Sequence, residues 1–251
     1  MQPEQEPAQG ARNAAEGPQG DQKRGRKRIL RALLHSGIVI GVGLLLSLMV
    51  KTWLLQVFYI PSGSMENTLL IGDQVMVGKL VPSPISLKRG DIVVFDDPGQ
   101  WLPTSPVKRS PIASALNTAL VFVGLKPVDE GHHIIKRVIG LPGDHVVCCN
   151  FKKLMINGVT LNEPYLYEGD TRGELPFNIT VPAGRVWVMG DHRGVSGDSR
   201  AHDQGSGGVK GSVPVDEIDG RAFMVHWPIK HWSWLSNPSE TFAKVPAATA
   251  R

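Results

Sequence analysis

From Gly37 to Val50 only Ser47 interrupts a run of apolar residues and glycine, and Leu33–Ile60 holds one full charge, Lys51. A helix needs about 20 apolar residues to cross a hydrocarbon core. Residues 29–52, apolar from about Ala32 to Val50, are long enough to span one, with Lys51 and Trp53 at the far interface. A cleavable secretory leader begins in the same way. Here no small-x-small site follows, because Trp53, Leu54, Leu55, Gln56 and Val57 are bulky. The segment is therefore expected to remain as an uncleaved anchor. Lys23, Arg24, Arg26, Lys27, Arg28 and Arg31 precede it. Such a cluster keeps the N-terminus in the cytoplasm and places the rest of the chain outside, as a single-pass protein. No second run of membrane length occurs: Ala113–Leu125 is too short, and Pro228, Lys230 and His231 break the C-terminal part.

The same basic cluster accounts for the net charge of +4. Lying beside an apolar run, it reads as a topology signal, and no nucleic-acid motif accompanies it. Residues 1–28 are rich in Gln, Glu, Pro, Ala and Gly around those basic residues and are expected to be a disordered cytoplasmic segment. Gly 28 and Pro 19 make up nearly a fifth of the 251 residues, which favours short strands and turns over a helical bundle.

The pattern after the anchor is β. Asp73–Lys79, Asp91–Phe95, Ile134–Ile139, Arg185–Met189 and Ala222–Trp227 read as strands, and Asn157-Gly158 lies between L-M-I and V-T-L as a hairpin turn. With no βαβ rhythm, residues 53–236 are expected to form a mainly β catalytic domain, a coiled β-barrel or sandwich outside the cytoplasm. Residues 98–132 read as an insertion, its apolar part a helix lying on the membrane surface or packed in the ordinary way. Residues 237–251 read as a disordered tail. Cys148 and Cys149 are adjacent, which makes no zinc site or loop-closing staple. Strand alternation favours opposite faces for the two, with a vicinal disulfide in an oxidising compartment as the alternative.

Two segments carry the candidate chemistry. Y-I-P-S-G-S-M-E-N-T-L-L-I-G-D-Q at 59–74 follows the anchor directly, and in it Pro61 stiffens the chain, Gly63 allows close backbone approach and Ser62 sets a second hydroxyl beside Ser64. A serine is a weak nucleophile unless a base lies within hydrogen-bond reach. The eight histidines offer no convincing Ser/His/Asp set; His132, His133, His192 and His202 lie in polar, loop-like surroundings. Lysine is the other candidate, provided that burial lowers its pKa enough to leave it neutral. In I-I-K-R-V-I-G-L-P-G-D at 134–144, period two puts Lys136 on one face with Ile134 and Val138, and Arg137 on the other with Ile135 and Ile139. Alternation alone does not say which cation is buried.

These segments, with R-G-D-I-V-V-F at 89–95 and G-D-H-R-G-V-S-G-D-S-R at 190–200, occur in the order found in the bacterial type I signal peptidases, which the chain resembles from about Tyr59 to Arg200. The resemblance implies Ser64 as nucleophile and Lys136 as general base. It implies an oxyanion hole made of the Ser64 N–H and the Ser62 hydroxyl. It also implies Ser196 hydrogen-bonded to the lysine, with Asp198 and Arg200 as a supporting ion pair. The implied reaction is hydrolysis of leader peptides after an A-x-A pattern, through an acyl-enzyme, at the bacterial plasma membrane. The substrate would bind as an extended strand between residues around Gln56–Pro61 and 129–135. Preprotein signal peptides, membrane phospholipids and the secretion translocon are the implied partners.

The chain departs from the family at Asn67, where many relatives have proline, and at His192 and Gly194, where asparagine and aspartate are usual. These positions bear on loop geometry, not on the Ser/Lys pair. No cluster of ligands in the sequence suggests a metal or an organic cofactor. Two other classes compete. Self-cleaving repressors, related Ser/Lys enzymes by family inference, need a DNA-binding domain that residues 1–28 are unable to form. An inactive membrane-anchored β-domain that binds extended peptides would usually lack Ser64 or Lys136.

Overall fold

The computed structural model describes residues 19–99, 101–102, 133–150, 153–170 and 176–248. They fall into two compact units, Met1–Leu48 and Met49–Arg251. The first is dominated by helix α1 (Gln19–Trp53), whose stretch Leu30–Val50 has a mean hydropathy of 2.2 and none of its surface buried against protein. It is the one helix among the described residues long and apolar enough to cross a membrane.

The second unit is almost entirely antiparallel β. In chain order the strands are β1 (Leu55–Tyr59), β2 (Gln74–Gly78), β3 (Ile92–Asp96), β4 (His133–Gly140), β5 (His145–Asn150) and β6 (Lys153–Ile156). Then come β7 (Val159–Thr160), β8 (Phe177–Thr180), β9 (Arg185–Met189), β10 (Val213–Pro214), β11 (Ile218–Trp227) and β12 (Ser233–Trp234). One sheet runs β1-β2-β11-β3-β4-β9-β10 with β12 on β11, and a smaller sheet runs β7-β6-β5-β8. Two short helices complete the unit, α2 (Ser199–His202) and α3 (Ser239–Phe242).

The β-branched composition explains the sheet. Val93, Val94 and Phe95 of β3, Val138 and Ile139 of β4, and Val186, Trp187 and Val188 of β9 are all buried, so these central strands are covered on both faces. The hairpin expected at Asn157-Gly158 forms, joining β6 to β7 with φ of +50° and +83° at the two residues. Positive φ at both central positions suits the right-handed twist of the flanking strands, and glycine takes it without a Cβ penalty.

Sheet connectivity sets up a cleft. Among the described residues the edge strand β1 pairs only with β2. In β4, residues 133–137 pair with β3, whereas the register with β9 starts at Arg137. One edge of 133–136 is thus left unpaired among the described residues.

Several expectations are corrected. Helix α1 reaches back to Gln19, into the segment 1–28 expected to be disordered; residues 1–18 lie outside the described part. The stretch 237–248 is not a loose tail. Asn237 Nδ2 donates to Arg89 O at 3.0 Å and Asp91 Oδ1 at 2.8 Å, while Phe242 and Val245 join the core around Trp187. Phe242, which ends α3, and Val245 just beyond it are both buried there. Of the two readings for Cys148 and Cys149, the structure has the vicinal disulfide and not the opposed faces that alternation favoured. The pairing of β5 with β6 shifts register between Val147 and Asn150, so alternation breaks at this pair. Of the insertion at 98–132 only Pro98, Gly99, Trp101 and Leu102 are described, and the expected apolar helix lies outside the described residues.

Candidate active site

Ser64 is the middle residue of a single 3₁₀ turn, Gly63–Met65, that follows β1. The turn is held from both ends. Met65 and Leu69 are fully buried in the core with Phe58, Ile60 and Val75. The Leu69 N–H donates to Met65 O at 2.8 Å, and the His192 N–H donates to Ser64 O at 3.1 Å. Asn67 adopts φ of +84° and donates from Nδ2 to the carbonyls of Tyr165 and Leu166, each at 3.1 Å. Proline is locked near −65° and has no way to adopt this backbone.

Lys136 comes from the middle of β4, two positions before the paired Val138. Its Nζ lies 2.7 Å from Ser64 Oγ and 2.9 Å from Ile135 O. Both members are buried, Ser64 at 4% and Lys136 at 4% exposure. No carboxylate among the described residues forms an ion pair with Lys136, in contrast to its neighbour. Arg137 is also buried, and it is held by Asp191 through Nε at 2.8 Å and Nη2 at 2.6 Å, by Gly90 O at 2.8 Å, and over the Tyr165 ring at 4.2 Å. Both cations are therefore inside, where alternation had offered a choice of one. The difference is in the pairing: the arginine has a counter-ion and the lysine has a hydroxyl.

Burial without a partner carboxylate lowers the Lys136 pKa to about 8. Asp198 and Asp191 act against this from a distance, and Arg200 adds to it. A lysine with a pKa of about 8 is neutral often enough near pH 8 to accept a proton from a hydroxyl within hydrogen-bond distance. The Ser62 hydroxyl lies 3.3 Å from Ser64 Oγ, on the correct scale to donate to an oxygen formed beside it.

The segment 190–200 supports this pair from below. Asp198 is fully buried, caps α2, and accepts from the Gly190 N–H at 3.0 Å and from Arg200 Nε and Nη2 at 2.9 and 2.8 Å. Burial pushes its carboxyl up, but Arg200, by hydrogen bonding and by charge, together with the Gly190 N–H, pulls it below its ordinary value. The expected Asp198–Arg200 pair is present. The expected hydrogen bond from Ser196 to Lys136 is not: Ser196 Oγ is buried without a partner of hydrogen-bond geometry, and it lies on the Asp198 side, where it favours the ionised carboxylate. Gly190 explains the close packing. A Cβ at this position would overlap the Ser64 carbonyl and Ser196 Oγ. Sequence reasoning missed the Arg137–Asp191 pair and Gly190. The signal available was the G-D at 190–191.

A cleft of about 270 Å³ opens over Ser64. One wall is Phe58–Pro61 and another is His133–Lys136, with Trp101, Leu102, Val195 and Gly197 around them. These are edges of β1 and β4 left unpaired among the described residues. The Asp97 carboxylate fixes the third wall by accepting from the N–H groups of Trp101 at 2.7 Å and Leu102 at 3.0 Å. Trp101 in turn stacks on His202 at 4.4 Å.

Residues 33–227 match the family described as signal peptidase, peptidase S26. The probable signal peptidase I of Mycobacterium leprae (strain TN) is 35% identical over 225 residues, which cover 79% of this chain and 77% of that protein. The signal peptidase I of Mycobacterium tuberculosis (strain ATCC 25618 / H37Rv) is 34% identical over 231 residues, covering 84% and 78%. The chain belongs to the signal peptidase family, peptidase S26, and so to the hydrolases that process signal peptides. Its N-terminal apolar helix fits membrane anchoring. Among solved structures, a signal peptidase I from Enterococcus faecalis V583 matches at 25% identity with a TM-score of 0.33, covering 54% of this chain and 95% of the other.

Proposed function

We propose that this chain is a single-pass signal peptidase I that cleaves preproteins after an A-x-A pattern by a Ser64/Lys136 dyad. Neutral Lys136 takes the proton of Ser64, whose Oγ attacks the scissile carbonyl. The tetrahedral oxyanion is met by the Ser64 N–H and the Ser62 hydroxyl. Collapse expels the amine of the mature protein, protonated by the lysine, and leaves an acyl-enzyme on Ser64. Water, deprotonated by the same lysine, then releases the leader. No step requires a metal or an organic cofactor.

The observation that carries this reading is the buried Lys136 Nζ at 2.7 Å from Ser64 Oγ with no carboxylate paired to it. A structural lysine would be expected to keep a counter-ion, as Arg137 does with Asp191. The unpaired edges of β1 and β4 suit an extended peptide laid between them, with small side chains before the cut fitting a narrow cleft. The expected topology puts the N-terminus in the cytoplasm and the β unit outside, at the bacterial plasma membrane. Substrates tethered to the same bilayer gain in effective concentration, with phospholipid and the secretion translocon as the surroundings.

The test is the pH dependence of kcat/KM on a peptide carrying A-x-A. One ascending limb centred near pH 8 follows from a lysine base with that pKa. A limb near pH 6.5, the ordinary range of histidine, would contradict it.

A further inference from the structure

The 3₁₀ turn that carries Ser64 has a weak point in its sequence. Gly63 directly precedes the nucleophile, and glycine is the residue whose backbone rotates most freely. The Gly63–Ser64 peptide carries the N–H that the proposed mechanism aims at the oxyanion, and such a donor is only as well aimed as its peptide is held. Two side chains outside the Ser64/Lys136 pair converge here. Glu66 holds Gly63 twice: its N–H donates to Gly63 O at 3.1 Å, and its carboxylate folds back over the open side of the glycine. A Cβ at 63 would meet Glu66 Cδ at 2.9 Å and both carboxylate oxygens at 3.0 Å. The carboxylate thus fills the space that a side chain at this position would occupy.

His192 in turn holds Glu66. Its Nδ1 lies 3.0 Å from Glu66 Oε2, and because an ionised carboxylate only accepts, Nδ1 carries the hydrogen. The same residue reaches the turn through its backbone, where its N–H donates to Ser64 O at 3.1 Å. Its ring is set in orientation by Tyr167, stacked 4.1 Å away at an interplanar angle of 14°. The Tyr167 N–H donates to Asp191 O at 3.1 Å, which ties this support to the segment that holds Arg137. Neither Glu66 nor His192 bonds the reacting atoms: Ser64 Oγ and Lys136 Nζ have each other, Ser62 Oγ and Ile135 O as partners. A half-covered ion pair adds little to stability. Its place against the oxyanion peptide is what sets this one apart.

We propose that Glu66 and His192 are positioning residues that clamp the Gly63–Ser64 peptide and keep its N–H aimed at the oxyanion, an inference that rests on the Ser64/Lys136 mechanism. A peptide is planar, so a hydrogen bond to Gly63 O on one side fixes the direction of the Ser64 N–H on the other. The Glu66 carboxylate limits rotation at the Gly63 Cα, and the His192 N–H fixes the carbonyl of Ser64 itself. The donor is therefore gripped before it, on it and after it. A donor aimed at charge that develops only during attack acts on the transition state more than on bound substrate, so loosening the clamp lowers kcat and leaves KM nearly unchanged.

The experiment measures kcat and KM of the full chain in detergent with lipid on a peptide carrying A-x-A, with the folding of each variant checked by circular dichroism. His192→Ala and Glu66→Ala each lower kcat about tenfold with KM changed less than about twofold, part of the roughly 10²–10³ lost when an oxyanion donor is removed outright. The double variant is no slower than the slower single one, because both act through one contact. His192→Asn, whose amide NH₂ takes the place of the Nδ1–H, restores kcat to within about threefold of wild type. Gly63→Ala alters no polar group, yet its methyl displaces the flexible Glu66 carboxylate. It lowers kcat as Glu66→Ala does, and combining the two adds nothing. Folded His192→Ala and Glu66→Ala with kcat within about twofold of wild type would overturn the clamp. So would losses that multiply in the double variant, or a loss confined to KM. A wild type that leaves the peptide intact, or cleavage that survives Ser64→Ala, would instead overturn the dyad, and the clamp with it.

Discussion

Replacing Lys136 with methionine separates what the lysine costs the fold from what it does for chemistry. Burial lowers its pKa from 10.5 to about 8. At roughly 1.4 kcal/mol per pH unit, that difference amounts to about 3 kcal/mol. The sign follows from proton counting. Below pH 8 the folded and unfolded chains both carry the ammonium, and the folded state bears the whole cost of burying it. Between pH 8 and 10.5 the unfolded chain binds more protons than the folded one, so the stability of wild type rises with pH. Above 10.5 both states are neutral and the cost is gone. By pH 9.5 about 2 kcal/mol is recovered. Methionine at 136 has no such titration, so its stability relative to wild type should fall by about 2 kcal/mol between pH 7 and 9.5. Urea unfolding of the full chain in micelles, followed by tryptophan fluorescence, measures both proteins at both pH values. A gap that stays constant across that range would refute the claim that Lys136 is desolvated and unpaired.

Three further outcomes follow from the same geometry. Ser62→Ala removes the hydroxyl 3.3 Å from Ser64 Oγ and should lower kcat about 100-fold with little change in KM, as read by steady-state kinetics. Asp198→Asn removes the carboxylate that accepts from Arg200 Nε and Nη2 and from the Gly190 N–H, and should cost about 1–3 kcal/mol in urea unfolding. Because Asp198 raises the Lys136 pKa and Arg200 lowers it, the ascending limb of the pH–rate profile should also move to lower pH in the fraction that folds. Gly190→Ala drives a methyl against the Ser64 carbonyl and should abolish cleavage while circular dichroism keeps the β signal.

Much of this arrangement was legible in the residues. The long apolar helix was readable because one full charge interrupts Leu33–Ile60, and the Asn157-Gly158 turn because its backbone needs two positive φ values. Ser64 and Lys136 were readable through the order of four short segments. Strand β1 was missed because Leu55–Tyr59 continues the apolar run of the anchor without a break, so periodicity gives no boundary. The docking of 237–248 was missed because Phe242 and Val245 are two apolar residues in a polar, proline-containing stretch. Local composition does not register a short piece of chain that covers a distant core. Arg137 was undecided because alternation assigns faces, whereas this strand is buried on both. The ion-pair contacts of His133 with Asp96 and Asp219, each at 3.0 Å, were not readable, since strand order alone brings these residues together.

The central claim is that Ser64 and Lys136 together hydrolyse the bond after A-x-A. The most direct measurement is cleavage of a purified preprotein carrying that site, by the full chain in detergent with lipid. Wild type is compared with Ser64→Ala and Lys136→Ala, each shown to be folded, and the new N-terminus is sequenced. The account predicts cutting just after the A-x-A by wild type and none above background by either variant. Cleavage surviving in both folded variants, or a folded wild type that leaves the preprotein intact, would contradict it.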